Sequence, residues 1–173
     1  MKLVLYFNNM PLNSRKIPVL KIRLFQSGDE LALREIFFNT IRNVNTQDYT
    51  QKQISAWAPD NYDEAAWSER IQSINPFIAT FNDVIVGYAD IQIDGYIDHF
   101  FCHWQYQRIG VGKALFQKIL TTAKSNGNER LYAHVSITAK PFFKHVGFKV
   151  IKKQQVVVRG QALTNYLMER LIR

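Results

Sequence analysis

Hydrophobic positions along the chain change their period several times, and each change marks an element. After an opening stretch through residue 19, Lys21 to Phe25 alternates as a strand. Ser27-Gly28-Asp29-Glu30 then opens a helix in which Leu31, Ile36, Phe37 and Ile41 recur at helical spacing to about Arg42. Tyr49 to Trp57 reads as a short helix stopped by Pro59, and Asp63 to Ser73 as another with Trp67 and Ile71 on its buried side. Phe77 to Phe81 and Val84 to Ile93 alternate as strands around Asn82-Asp83, a two-residue hairpin connection, so they should pair antiparallel. Asp94-Gly95 turns the chain into a third strand, Tyr96 to Cys102, and a polar loop leads to a helix from Gly110 to about Ser125. Val111, Leu115, Ile119 and Ala123 form the apolar face of that helix. Leu131 to Val135 is a strand, Thr138 to His145 a short helix ending at Gly147, and Phe148 to Val158 with Ala162 to Leu171 a closing hairpin.

Hairpins combined with one crossover predict an α/β (α+β) fold with a mixed, mostly antiparallel sheet flanked by helices, in contrast to a doubly wound one. No repeat or long linker interrupts the chain. We therefore expect residues 1–19 to be an N-terminal extension and residues 20–173 to be one domain.

Composition narrows the classes. With 173 residues and 47% hydrophobic content, the chain is long enough for a substantial core, and its eight glycines and five prolines exclude a collagenous or linker-rich protein. Apolar runs fall short of the ~18 residues of a membrane span, and Asn8, Asn9 and Pro11 end the first apolar stretch before a secretory core of ~7–15 residues. Cys102 is the one cysteine, which excludes an internal disulfide. These features read as a cytoplasmic protein without a membrane partner.

The net charge of +8 is unevenly spread. Residues 24–107 carry four Lys/Arg against twelve Asp/Glu, whereas residues 108–173 carry thirteen against two. An acidic half that attracts a cationic ligand and a basic half that holds a phosphate-bearing one fit this division; a solvated basic surface is the other reading. No recognised nucleic-acid motif accompanies the basic segments, so nucleic acid is not expected as a partner. If the protein associates, a two-fold homodimer is the default symmetric assembly.

Gln107-Arg108-Ile109-Gly110-Val111-Gly112-Lys113 lies where a strand becomes a helix. Its glycines let successive N–H groups approach an anion at the positive end of the helix dipole. A dinucleotide fingerprint requires a third glycine where Leu115 stands, and a Walker loop requires Gly-Lys-Ser/Thr, so neither applies.

Gln107-x-x-Gly110-x-Gly112, after a hydrophobic strand and before an amphipathic helix, resembles the acetyl-coenzyme A signature of the GNAT superfamily of N-acetyltransferases. Ser136-x-x-Ala139-x-Pro141-Phe142-Phe143-x-x-x-Gly147-Phe148 resembles that family's second motif, with Ser136 in place of the usual Asn and Phe143 in place of the usual Tyr. Tyr49 to Trp57, Ser136 to Phe143, and Arg159-Gly160 with Thr164-Asn165 resemble its small bacterial YafP-type branch. The resemblance implies a GNAT-type sheet and acetyl-CoA as cosubstrate, with no metal. It places the pyrophosphate on the backbone of Arg108, Ile109, Gly110, Val111, Gly112 and Lys113, with Gln107 opening the loop. Phe101 and Cys102 would pair by main chain with the pantetheine arm, Ser136 would stand at the pantetheine contact, and Phe143 would pack near the thioether.

Amide formation needs a neutral amine, whereas an alkyl ammonium of pKa about 10 is almost wholly protonated at pH 7. Alternation puts Tyr96, Asp98 and Phe100 on one strand face, and Asp98 is the first candidate for the base; a structural hydrogen bond is its other reading. His99 and His134 are weaker candidates. Because Phe143 cannot donate a proton, Tyr132 and Tyr166 are the candidate acids, with Tyr166 carried forward. Tyr49, Gln53 and Trp57 stand at i, i+4 and i+8, a stripe for the acceptor or for packing. His99-x-x-Cys102-His103 has the letters of a metal site, but alternation separates His99 from Cys102. The expected activity is direct acetyl transfer to a primary amine of a small molecule or peptide, and the acidic half favours a cationic acceptor such as a polyamine, an aminoglycoside-like amine or a peptide amino group. A catalytically silent acyl-CoA-binding module is the alternative, because Ser136 and Phe143 depart from the pattern.

Overall fold

The computed structural model describes residues 19–172, so the expected extension over residues 1–19 lies, apart from Val19, outside the described residues. In chain order the elements are β1 (Leu20–Leu24), α1 (Glu30–Val44), α2 (Gln51–Trp57), α3 (Glu64–Ile74), β2 (Phe77–Phe81), β3 (Val84–Ala89), β4 (Tyr96–Ile97), β5 (Phe100–Cys102), α4 (Val111–Ser125), β6 (Arg130–Ser136), α5 (Lys140–His145), β7 (Lys149–Val158) and β8 (Gln161–Leu171). They build two four-stranded sheets, ordered β1-β2-β3-β5 and β4-β6-β8-β7. The β4–β6 pair is parallel and the other pairs are antiparallel, in accord with a mixed, mostly antiparallel architecture.

Local chemistry sets several boundaries. Asn82 and Asp83 both adopt positive φ, 50° and 66°, which matches the right-handed twist of the β2–β3 hairpin they connect. Arg159 and Gly160 do the same at β7–β8, with φ of 46° and 77°. Thr50 and Gln53 form a reciprocal capping box at the start of α2. That cap leaves Tyr49 before the helix, so the expected stripe Tyr49, Gln53, Trp57 is not one helical face.

Alternating side chains of the first sheet bury both of its faces. Phe77, Ala79 and Val86 pack with Leu115 and Ile119 of α4, whereas Ile78 and Tyr88 pack with Leu33, Ile36 and Ile71 of α1 and α3. Leu33, Ile71, Leu115 and Ile119 are wholly buried, and each such side chain contributes about 1.5–3 kcal/mol relative to exposure.

Two strand expectations need correction. The strand expected from Val84 to Ile93 ends at Ala89, and the one expected from Tyr96 to Cys102 is two short pieces in different sheets. Asp90, fully buried, causes both: its Oδ1 accepts the amides of Asp98 at 3.1 Å and His99 at 2.6 Å. Those amides are lost to any strand ladder, and the chain bends between Ile97 and Phe100. The two sheets therefore diverge from one segment.

Gly95 fixes where the second sheet begins, because its N–H bonds Gln92 O and its own carbonyl accepts Tyr132 N–H at 3.1 Å. A Cβ there would meet Arg130 O at 2.2 Å, and φ is +87°. Gly95→Ala is expected to lower unfolding free energy by about 2–4 kcal/mol in urea titration, combining backbone strain with a forced shift of β6.

Candidate functional site

Between β5 and β6 the sheets part, and the gap opens into a cleft of about 1470 Å³. The loop before α4 closes one end. Arg108 (φ 61°) and Gly110 (φ 98°) are both left-handed, which turns successive amides inward as an anion nest. The N–H groups of Gly110, Val111, Gly112 and Lys113 donate to no acceptor among the described residues; the first helical bond runs from Ala114 N–H to Gly110 O. They are the orphan donors of a 15-residue helix, where its dipole favours negative charge. Arg108, Lys113 and Lys140 add cationic side chains to the lining.

Strand β5 has one open edge. His103 N–H donates to Val86 O and Asp90 N–H to His99 O, so in the antiparallel register Phe101 pairs inward with Tyr88. The main-chain groups of Phe100 and Cys102 consequently face the cleft. Of the two residues expected to meet the pantetheine arm, Cys102 turns its main chain to the cleft side and Phe101 turns its own toward Tyr88; Phe100 is the other residue of β5 that faces the cleft. The carbonyl of Cys102 is held by Thr40 Oγ1 at 2.9 Å and Gln107 Nε2 at 2.8 Å. Gln107 thus ties the loop to the strand. Burial pushes the Cys102 thiol up to about 12, which keeps it protonated and inert as a nucleophile.

Phe143, 3% exposed, packs edge-on against Phe100 with centroids 5.6 Å apart and lines the cleft. Ser136 also lines it, and its Oγ accepts Ala139 N–H at 3.0 Å, fixing the entry to α5.

At the parting of the sheets, Asp98 receives Arg70 in an ion pair and accepts a hydrogen bond from Tyr96 Oη at 3.3 Å. His99 Nε2 stands 3.4 Å from the same carboxylate, and its Nδ1 meets Tyr88 Oη at 3.1 Å. Burial drives the His99 imidazole down to about 4, against an upward pull from Asp98 and with a further lowering by Arg70, so it is neutral at pH 7. Burial, reinforced by Asp98, holds the Tyr96 phenol far above the usual range. Tyr96 is therefore a hydrogen-bond donor that keeps its proton. Its i, i+2 relation to Asp98 was the sequence signal for this contact. Asp90, whose role no pattern announced, is raised to about 6 by burial, against the amides and Gln92 that favour its charge.

The other candidates divide. Tyr49 and Trp57 line the cleft, with ring centroids 5.5 Å apart. Gln53 does not: its amide is spent on Thr50 and, at 2.7 Å, on Ala162 O. Tyr166 also lies outside the lining, its ring lying 4.0 Å from Lys140 Nζ, and Tyr132 gives its hydroxyl to Asp94. The Tyr132 ring lies 5.1 Å from that of Tyr96. No group of three or more His, Cys, Asp or Glu with metal-holding geometry exists among the described residues, and none of their helices is long and apolar enough to cross a membrane.

The model of the acetyltransferase (GNAT) domain matches residues 45–170. The N-acetyltransferase YafP of Escherichia coli K12 is 36% identical over 149 residues, 86% of this chain and 94% of the relative. The chain belongs to the GNAT family. It is an acetyl-CoA-dependent N-acetyltransferase by family. A GCN5-related N-acetyltransferase from Rhodopseudomonas palustris superposes with a TM-score of 0.83 at 28% identity, covering 90% of this chain and 96% of its own. The yncA acetyltransferase of Salmonella typhimurium, solved with acetyl-CoA, shares the fold at a TM-score of 0.66 and 19% identity, covering 90% of this chain and 95% of its own.

Asp90 and His99 oppose one another in acid. Between pH 4 and 6 the folded protein retains a proton on Asp90 that the unfolded chain has released, so this group makes stability fall as pH rises. Between pH 4 and 6.5 the unfolded chain binds a proton that folded His99 refuses, so this group makes stability rise with pH. Thermal unfolding midpoints measured across pH 4–6.5 should rise more steeply with pH in Asp90→Asn than in the parent, and less steeply in His99→Gln. Parallel profiles for all three proteins would contradict the assignment.

Proposed function

We propose that the domain spanning residues 20–173 transfers the acetyl group of acetyl-CoA directly to a primary amine, with both substrates in the cleft at once. The carrying observation is the arrangement of one continuous cleft: four unpartnered amides at one end, an open strand edge along its length, and the Asp98 carboxylate where the sheets part. The pyrophosphate fits the amides of Gly110 to Lys113, with Arg108 and Ile109 shaping the loop and Gln107 bracing it. The pantetheine arm fits the outward main chain of Phe100 and the N–H of Cys102, whose carbonyl is held by Thr40 and Gln107, alongside Ser136 and Phe143.

Acetyl-CoA supplies the thioester carbonyl. The Asp98 carboxylate attracts the incoming ammonium and takes one proton from it, directly or through a water, so that the neutral nitrogen attacks the thioester carbonyl; as the tetrahedral adduct collapses the C–S bond breaks, and the second nitrogen proton passes through water to the departing thiolate, leaving the amide and CoA thiol. Arg70 and Tyr96 fix the orientation of that carboxylate. The Phe100 N–H, directed into the cleft, is the donor for negative charge developing on the carbonyl oxygen, a contribution worth ~3–4 kcal/mol in comparable sites. A thiol of pKa about 8.5 departs tolerably as thiolate, so the chemistry proceeds with Phe143 where a tyrosine acid would stand.

The acceptor is a small-molecule amine, cationic in free solution. The excess of twelve acidic over four basic side chains in residues 24–107 supports it. Release of free thiol with an amine panel tests the activity. In Asp98→Asn, kcat should fall ~10²–10⁴-fold while the KM for acetyl-CoA stays within about twofold, as expected for loss of a general base. An unchanged kcat would remove Asp98 from the chemistry.

A further inference from the structure

The end of the cleft remote from the phosphate loop is walled by the smallest of the three core clusters. Ile41, Ile54 and Ala58 close it from behind, while Tyr49, Trp57, Val156, Val158 and Leu163 turn toward the cavity. A core cluster normally packs against itself; here one side of it opens onto the cleft. Trp57, Val156 and Val158 are half-buried and line the cleft, so apolar surface remains open on this side.

This end is also closed by cross-ties. Tyr49 Oη donates to Thr164 O at 2.7 Å and accepts Ile137 N–H at 2.9 Å. Thr138 Oγ1 donates to Asp48 Oδ2 at 2.8 Å, and Gln53 Nε2 donates to Ala162 O at 2.7 Å. The segment before and within α2 is thereby fastened both to the β6–α5 connection and to the tip of the β7–β8 hairpin. A polypeptide acceptor would need a groove through which its chain continues, and these bonds join the walls where such a groove would run.

Charge lining the cleft is divided by position. Its Lys and Arg side chains, Arg108, Lys113 and Lys140, all stand on the phosphate loop, α4 and α5. Its carboxylates are Asp48 and Asp98, and both are engaged, the first by Thr138 and the second by Arg70. A second ammonium directed at Val156, Val158 and Leu163 would lie against apolar side chains, where a desolvated charge is strongly disfavoured, and only one turned toward the exposed Asp48 would meet a carboxylate. A carboxylate or phosphate on the acceptor would find no cation in this end of the lining.

We propose that the acceptor is a small monoamine whose ammonium reaches Asp98 and whose aromatic or branched apolar body fills the pocket formed by Tyr49, Trp57, Val156, Val158 and Leu163. This specificity rests on the acetyl-transfer reading above. Amphipathic monoamines suit such a pocket because burial of their apolar part offsets the loss of hydration, and an aromatic ring gains further from the edge-on pair Tyr49 and Trp57.

The test compares 2-phenylethylamine, spermidine and a short peptide beginning with phenylalanine, each with saturating acetyl-CoA. Phenylethylamine should show kcat/KM at least tenfold above the other two. Val158→Lys should reduce that value at least tenfold while leaving the KM for acetyl-CoA unchanged. In a separate binding measurement without turnover, phenylethylamine should quench tryptophan emission, and Trp57→Phe should abolish the quenching. Spermidine or the peptide equalling phenylethylamine would overturn the monoamine assignment while leaving amine acetylation intact. Quenching at Trp57 without acetylation of any amine would preserve the pocket and overturn the transfer reading. Absence of quenching with normal acetylation would overturn the pocket.

Discussion

The carboxylate of Asp90 is the constraint from which the functional geometry follows. Held in the core with no exposed surface, it captures two consecutive amides that a continuous strand would have used for pairing. A buried carboxylate without donors would be costly, and here the donors come from the strand that must bend. The same contact that satisfies Asp90 therefore directs β4 into one sheet and β5 into the other. Without that bend the sheets would continue side by side and there would be no cleft for acetyl transfer.

Around this bend, polar groups restrict one another. Tyr88 and Asp98 bracket the His99 ring, Tyr96 and Arg70 hold Asp98, and Phe37 stacks on His99 at a centroid distance of 6.2 Å. Each charge or dipole has a partner that fixes its direction, the condition under which a site in a low-dielectric cleft acts without reorganising. Apolar packing then shapes the walls. Phe100, Phe142 and Phe143 form a contiguous aromatic cluster beside Gly112 of the loop, and the third core cluster lines another part of the cleft.

Much of this was legible along the chain. The period of Val111, Leu115, Ile119 and Ala123 gave α4 within a residue of its observed start, because those positions are buried in a single stripe. The two-residue connection Asn82-Asp83 was visible as a hairpin, and the closing hairpin was expected between Val158 and Ala162, where the structure places the turn at the positive-φ pair Arg159-Gly160. The spacing of Gly110 and Gly112 marked the anion nest, whose amides are oriented by local backbone geometry alone. Tyr49 and Trp57 reached the cleft as expected, although through a loop and a helix end, with the capping box at Thr50 separating them.

Properties carried by neighbouring residues, such as helix periods, turns, caps and the phosphate loop, were determined by the sequence because their energetics are settled within a few positions. Which main-chain groups of β5 face outward was decided by its register with β3, which exchanged Phe101 for Phe100 at the open edge. The partners that Gln53 and Tyr132 took were decided by other elements, which claimed the amide of Gln53 and the hydroxyl of Tyr132, and Lys140 lies over the ring of Tyr166. The break between Ile97 and Phe100 belongs to the same class: alternation continued through it, and only the meeting of Asp90 with the amides of Asp98 and His99 interrupted the strand. A hydrogen bond to a distant strand has no period, so tertiary structure alone revealed it.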